Sequence, residues 1–160
     1  MRARLLGLLA IFAIMLVACG GSLPPGVLEF KNPFGTFRVK APDGWKTSAE
    51  FMGYTAAQSS NGEMMFNVVT VNPSQAERDI YLNPREYTEN GRTIVVADGI
   101  SGGSGTFNGV TMNSGDMLHA FVTVDGTSYN LALQRATTVA KDPAQEELLV
   151  DLAASFETVQ

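Results

Sequence analysis

Apolar and polar residues alternate with a period of two in several short stretches of this 160-residue chain, which predicts strands with one buried face. In Thr36 to Lys40, Phe37 and Val39 share one side while Thr36, Arg38 and Lys40 share the other. Pro42-Asp43-Gly44 then turns the chain, and Trp45 follows as a lid on the edge of the core. Gly53 to Ser59 and Glu63 to Val71 read as two strands around Asn61-Gly62, a dipeptide suited to the positive φ angles of a tight hairpin. The second is apolar on both faces, Met64, Phe66 and Val68 alternating with Met65, Val69 and Val71, so a central strand is expected. The clearest hairpin joins Met117–Val124 to Thr127–Ala136 through Asp125-Gly126, and Phe107-Asn108-Gly109-Val110 suggests another turn.

Helical signals interrupt this pattern twice. After Asn72-Pro73, both Ser74 with Glu77 and Asn83-Pro84-Arg85-Glu86 resemble capping boxes. Tyr87, Ile94 and Val95 would then share a helical face, although Gly91 weakens the middle of such a helix. Asp98 to Gly105, rich in Gly and Ser, reads as a loop. Asp142-Pro143-Ala144-Gln145 opens a closing helix whose stripe is Leu148, Leu149, Leu152, Ala153 and Phe156, with Glu146 and Glu147 near the positive end of its dipole. The order of elements predicts an α+β fold, an antiparallel β-sheet with helices packed on it.

The start of the chain follows a different logic. Arg2 and Arg4 precede an uncharged run from Leu5 to Val17, the layout of a secretory signal and too short for a bilayer span of about 20 residues. Leu16-Val17-Ala18-Cys19 resembles the lipobox of bacterial lipoproteins. That resemblance implies cleavage before Cys19 and lipid attachment to its sulfur; two or more acyl chains hold a protein on a membrane where one is marginal. Cys19 is the one cysteine, so no intramolecular disulfide can form. Gly20 to Gly26, with paired Pro24 and Pro25, reads as a short tether. The expected organisation is a signal peptide over 1–18, a lipidated cysteine and tether over 19–29, and a single α+β domain over 30–160.

Charge narrows the partners. Eleven basic residues stand against sixteen acidic ones for a net charge of −5, and losing Arg2 and Arg4 with the signal takes it to about −7, a field that repels nucleic acid. Phe37-x-Val39-x-Ala41-Pro42-x-Gly44-Trp45, together with Tyr129-x-Leu131-x-Leu133 and a helix ending in Ser155-Phe156, resembles the PsbP-like group of small extracytoplasmic domains. The resemblance runs over roughly residues 30 to 158 and implies an αβα sandwich around an antiparallel sheet. Its motifs are mostly packing residues and carry no activity.

Chemistry is sparse. Gly99-Ile100-Ser101-Gly102-Gly103 matches a nucleophile elbow in form, with Asp116 and His119 following in hydrolase order, but the flanks lack the strand and helix that the elbow needs. Met117 and His119 lie two apart on one strand face, a soft ligand pair suited to Cu(I), to which Met64, Met65 and Met112 are the available additions. Methionines also serve as adaptable core fillers, and a lone strand histidine is usually a hydrogen-bonded structural residue. Asp43, Asp98, Asp116 and Asp125 all sit at or near glycines in turn-like contexts. Trp45, Tyr54, Tyr81 and Tyr87 suit either packing or a recognition surface.

The expectation is a membrane-tethered extracytoplasmic lipoprotein on the periplasmic or cell-surface face of a bacterial membrane. It would act as a non-catalytic protein-binding or assembly module with an envelope protein partner, with no cofactor or metal and with Cys19 as its lipid attachment site. The alternative is a small-ligand or copper-binding lipoprotein.

Overall fold

The computed structural model describes residues 23–50, 52–100, 103–107 and 110–159. The signal peptide, the lipobox and Cys19 lie outside the described residues, as do Ser101, Gly102, Asn108 and Gly109. The strands are β1 (Val27–Asn32), β2 (Gly35–Lys40), β3 (Lys46–Thr47), β4 (Ala57–Gln58), β5 (Met64–Val71), β6 (Leu82–Glu89), β7 (Arg92–Asp98), β8 (Ser104–Phe107), β9 (Val110–Val124), β10 (Thr127–Ala136) and β11 (Glu157–Val159). Two helices are described, α1 (Gln75–Asp79) and α2 (Pro143–Ser155).

Every pairing is antiparallel. One sheet has eight strands in the order β3-β4-β5-β10-β9-β7-β6, with β8 folded back on β9, and the other has the order β1-β2-β11. The antiparallel α+β expectation holds, but the molecule is richer in β-structure than a helix-packed αβα sandwich. Among the described residues only α2 is a long helix, and the small sheet shares with it the role of covering the large sheet.

The largest correction concerns residues 82–98, expected as helix and found as the hairpin β6–β7. Asn90 and Gly91 both adopt positive φ, 51° and 73°, the geometry of a two-residue hairpin turn. The apparent capping box at Asn83 lies instead at the start of β6, where Asn83 itself has φ 50° and the pairing shifts register. The ordered sheet also starts at Val27, inside the stretch expected to be tether.

The strand expected over Gly53 to Ser59 shrinks to Ala57–Gln58, and β8 starts inside the expected loop Asp98 to Gly105, but other signals are met. Ser74 caps α1 and Asp142 caps α2 in capping boxes, with Pro143 in the first turn. Asp125 and Gly126, at φ 50° and 79°, close the β9–β10 hairpin. At the other end of α2, Arg92 Nη1 donates to the carbonyls of Ala154 at 3.0 Å and Phe156 at 2.7 Å. That places a cation where the helix leaves acceptors unpaired and its dipole is negative.

The core lies between the two sheets and α2. Alternation along β9 and β10 sends Leu118, Ala120, Val122, Leu131 and Leu133 to this side, where all are buried. Phe37 stacks on Phe156 at 5.2 Å, and Phe30, Phe66 and Tyr129 complete an aromatic cluster with centroid separations of 5.1 to 6.0 Å. These rings bind the small sheet to the large one and to the end of α2.

Candidate functional site

The side of the large sheet away from α2 is covered differently. Here β9 presents Met117, His119 and Phe121, β10 presents Asn130 and Ala132, and β7 presents Val95 and Ala97. The five-residue α1 and the turn after it bring Tyr81 over this face. The Tyr81 ring lies 4.2 Å from the His119 ring and 5.5 Å from that of Phe121.

His119 is 4% exposed and Asn130 2% exposed. His119 Nδ1 lies 2.9 Å from Asn130 Oδ1, and Asn130 Nδ2 donates to the Tyr81 hydroxyl at 3.1 Å. With the amide nitrogen committed to Tyr81, this arrangement assigns the imidazole proton to Nδ1. Burial pushes the imidazole below its ordinary value, and the bond to Asn130 opposes this only in part, so His119 is neutral at neutral pH.

The structure does not assemble the methionines around this histidine. Met65 and Met117 both pair with Gln134 from opposite sides, which puts their strands two spacings, about 10 Å, apart. Met64 packs toward the core on the other side of β5, and Met112 is buried beside Ala136. Among the described residues, no three His, Cys, Asp or Glu side chains converge on a point where a metal ion would sit.

The hydrolase order dissolves as well. Asp116 is ion-paired with Arg135, His119 faces Asn130, and Ser101 lies outside the described residues. Asp98 accepts from Arg85 at 3.0 Å and from Asn83 at 2.9 Å. Burial would raise its carboxyl, yet these bonds hold it below its usual value. Asp43 and Asp125 sit in turns.

Tyr87 belongs to a clamp rather than a recognition surface. Arg85 Nε donates to Glu146 Oε1 at 2.7 Å and the Tyr87 hydroxyl donates to the same oxygen, fastening β6 to the first turn of α2. Arg85 holds the Glu146 carboxyl low, and Glu146 in turn raises both the guanidinium and the phenol. Trp45 packs half-buried on the core, whereas Tyr54 is exposed.

Two surface features stand out. A cleft of about 610 Å³ opens beside α1, lined by Gln75, Arg78, Asp79 and Tyr81 on one side and by Pro84, Val95, Ala97 and Phe121 on the other. Ile80 and Leu82, 49% and 54% exposed, flank Tyr81 at its edge. Separately, the tip of the β1–β2 hairpin exposes Phe34 at 50%. The segment bearing Met52 and Tyr54, 81% and 42% exposed, is tied to the same hairpin. The Thr55 amide donates to Lys31 O at 2.8 Å, the Lys31 amide to Thr55 Oγ1 at 2.8 Å, and Lys31 Nζ meets Glu50 at 3.0 Å. Met52 holds a positive φ of 52°, an uncommon backbone for a non-glycine residue.

Of these residues, sequence reasoning singled out His119, Tyr81 and Tyr54 but passed over Phe34, Met52, Arg78, Phe121 and Asn130. Asn130 carried the one legible signal, an amide between Tyr129 and Leu131 in an otherwise apolar strand.

No protein-family model and no curated protein matches the sequence. Among solved structures, the chain is similar to the solution structure of cyanobacterial PsbP (CyanoP) from Synechocystis sp. PCC 6803, with 11% identity and a TM-score of 0.48, over 89% of this chain and 98% of that one. A likeness at that level carries no functional argument.

Proposed function

We propose that this protein is a lipid-anchored, extracytoplasmic, non-catalytic module that binds another envelope protein. The observation that carries the reading is the apolar patch of Phe34, Met52 and Tyr54. The six residues of β1 span about 20 Å, so the hairpin tip stands at the far end of the strand from the point where the expected tether enters. An anchor at Cys19 would thus present the patch away from the membrane. Large exposed apolar and aromatic side chains gathered on one edge suit a binding hot spot. The lipobox Leu16-Val17-Ala18-Cys19 supports the tether, and the residues that resemble PsbP-like domains support the setting outside the cytoplasm.

The two halves of the proposal separate experimentally. Cys19→Ser should abolish incorporation of labelled fatty acid and accumulate precursor; normal labelling of that variant would refute the anchor. The triple variant Phe34→Ser, Met52→Ser, Tyr54→Ser should remain anchored and folded while losing at least tenfold of the co-purifying partner, because hot-spot truncations cost roughly 2 kcal/mol or more. Undiminished recovery would refute the patch.

A further inference from the structure

The cleft beside α1 is built from different residues and has a chemistry of its own. Its volume of about 610 Å³ falls within the range of small-molecule sites. Val95, Ala97 and Phe121 form an apolar floor, with the Tyr81 ring standing over Phe121 at 5.5 Å. Arg78 supplies the charge. Its guanidinium carbon lies 5.5 Å from the centre of the Phe121 ring, and its Nε donates to the Pro73 carbonyl at 3.4 Å.

Arg78 is unusual among the described arginines. Arg38 pairs with Glu29, Arg85 with Glu146 and Asp98, Arg135 with Asp116, and Arg92 caps the end of α2. The two terminal nitrogens of Arg78 have no partner among the described residues. The acids on either side of it in sequence are engaged elsewhere: Asp79 accepts from Gln75 Nε2 at 2.6 Å, and Glu77 accepts from the Ser74 amide at 2.6 Å. A guanidinium held over a ring while its outer donors stay open is arranged to receive a planar acceptor with two oxygens.

We propose that this cleft binds a small organic monocarboxylate with a flat apolar body, the carboxylate on the terminal nitrogens of Arg78 and the body against Phe121, Tyr81 and Val95. Asp79 on the same rim, and the acidic charge of the whole protein, select against ligands carrying several negative charges. The site shares no residue with the Phe34–Met52–Tyr54 patch, so either can fail without the other.

The test titrates 2-naphthoate into the full-length chain in detergent micelles and follows it by NMR, with 2-naphthamide as the uncharged counterpart of the same shape. Binding at roughly millimolar concentration should shift the resonances of Ala97 and Phe121, and the amide should bind about tenfold more weakly. Arg78→Gln should erase the difference between the two compounds, while Arg78→Lys, which keeps the charge and loses the fork, should fall between. Equal binding of acid and amide to the unaltered protein would overturn the proposal, and so would shifts confined to residues outside the cleft or none at 10 mM, on the order of ten times that concentration.

Discussion

The two faces of the eight-stranded sheet are built from the same strands yet differ in kind. The side under α2 and the small sheet is apolar, filled by Phe30, Phe37, Phe66, Leu131, Leu152 and Phe156, each no more than 2% exposed. Among the described residues the other side has only a five-residue helix and a turn for cover, and two polar groups are buried on it, His119 and Asn130, hydrogen-bonded to each other and to Tyr81. Burying an amide and an imidazole gains little unless every hydrogen bond is made, so this face spends its order on specificity of arrangement. The first face accounts for the fold. The second leaves a cleft and an open cation where a chain optimised for stability alone would place aliphatic packing.

Truncation on the two faces should therefore have very different consequences. Phe37→Ala removes a ring that touches Phe30, Tyr129 and Phe156, and should destabilise the protein by about 3–5 kcal/mol in chemical denaturation. Val69→Thr, on a residue of β5 that is 39% exposed, should change stability by no more than about 0.5 kcal/mol. A small effect at Phe37 would mean that the small sheet is not needed to close the core.

Acidification should sharpen the contrast by a smaller amount. His119 is held below its ordinary value when folded, so the unfolded chain binds its proton more readily, and stability falls as pH drops from about 6.5 toward the folded value. The clamp carboxylates Glu146 and Asp98 are also held low, but their contribution is present above their unfolded values and fades only below about pH 4.5. The profile should show two separate declines, and His119→Gln should remove the upper one while leaving the lower. An unchanged upper decline in that variant would assign it to another group.

The same contrast explains what the sequence disclosed. The covered face is written in local patterns, since the alternation of β2, the Asp125-Gly126 turn and the Asp142 capping box each need only neighbouring residues. The hairpin β6–β7 was also local, but Asn83-Pro84-Arg85-Glu86 imitates a helix start and outweighed Asn90-Gly91, the same kind of turn signal recognised elsewhere in the chain. β11 escaped notice because a strand of three residues holds its conformation through β2, far away in sequence, whereas β1 pairs with the neighbouring β2 and was missed because its turn at Pro33-Phe34 carries no Asn-Gly or Asp-Gly signal. The open face was the least legible. Tyr81, His119 and Asn130 meet only through sheet register and the path of α1, and no spacing among residues 38 and 11 apart announces a shared cluster. Arg78 gave no sign either, because an arginine without a partner is visible only once the partners of the others are known.

Binding through the exposed hairpin end is examined most directly by placing a photo-reactive residue at Met52 in living cells, with the same residue at Lys40 as the comparison. Lys40 is also exposed, but lies at the end of β2 that pairs with Val27, where the expected tether enters. A discrete crosslinked species of one added mass from position 52, absent from position 40 and lost when Phe34 and Tyr54 are changed to Ser, is the expected result. Equal smears from both positions, or no adduct from position 52, would contradict the assignment of this patch as the partner-binding surface.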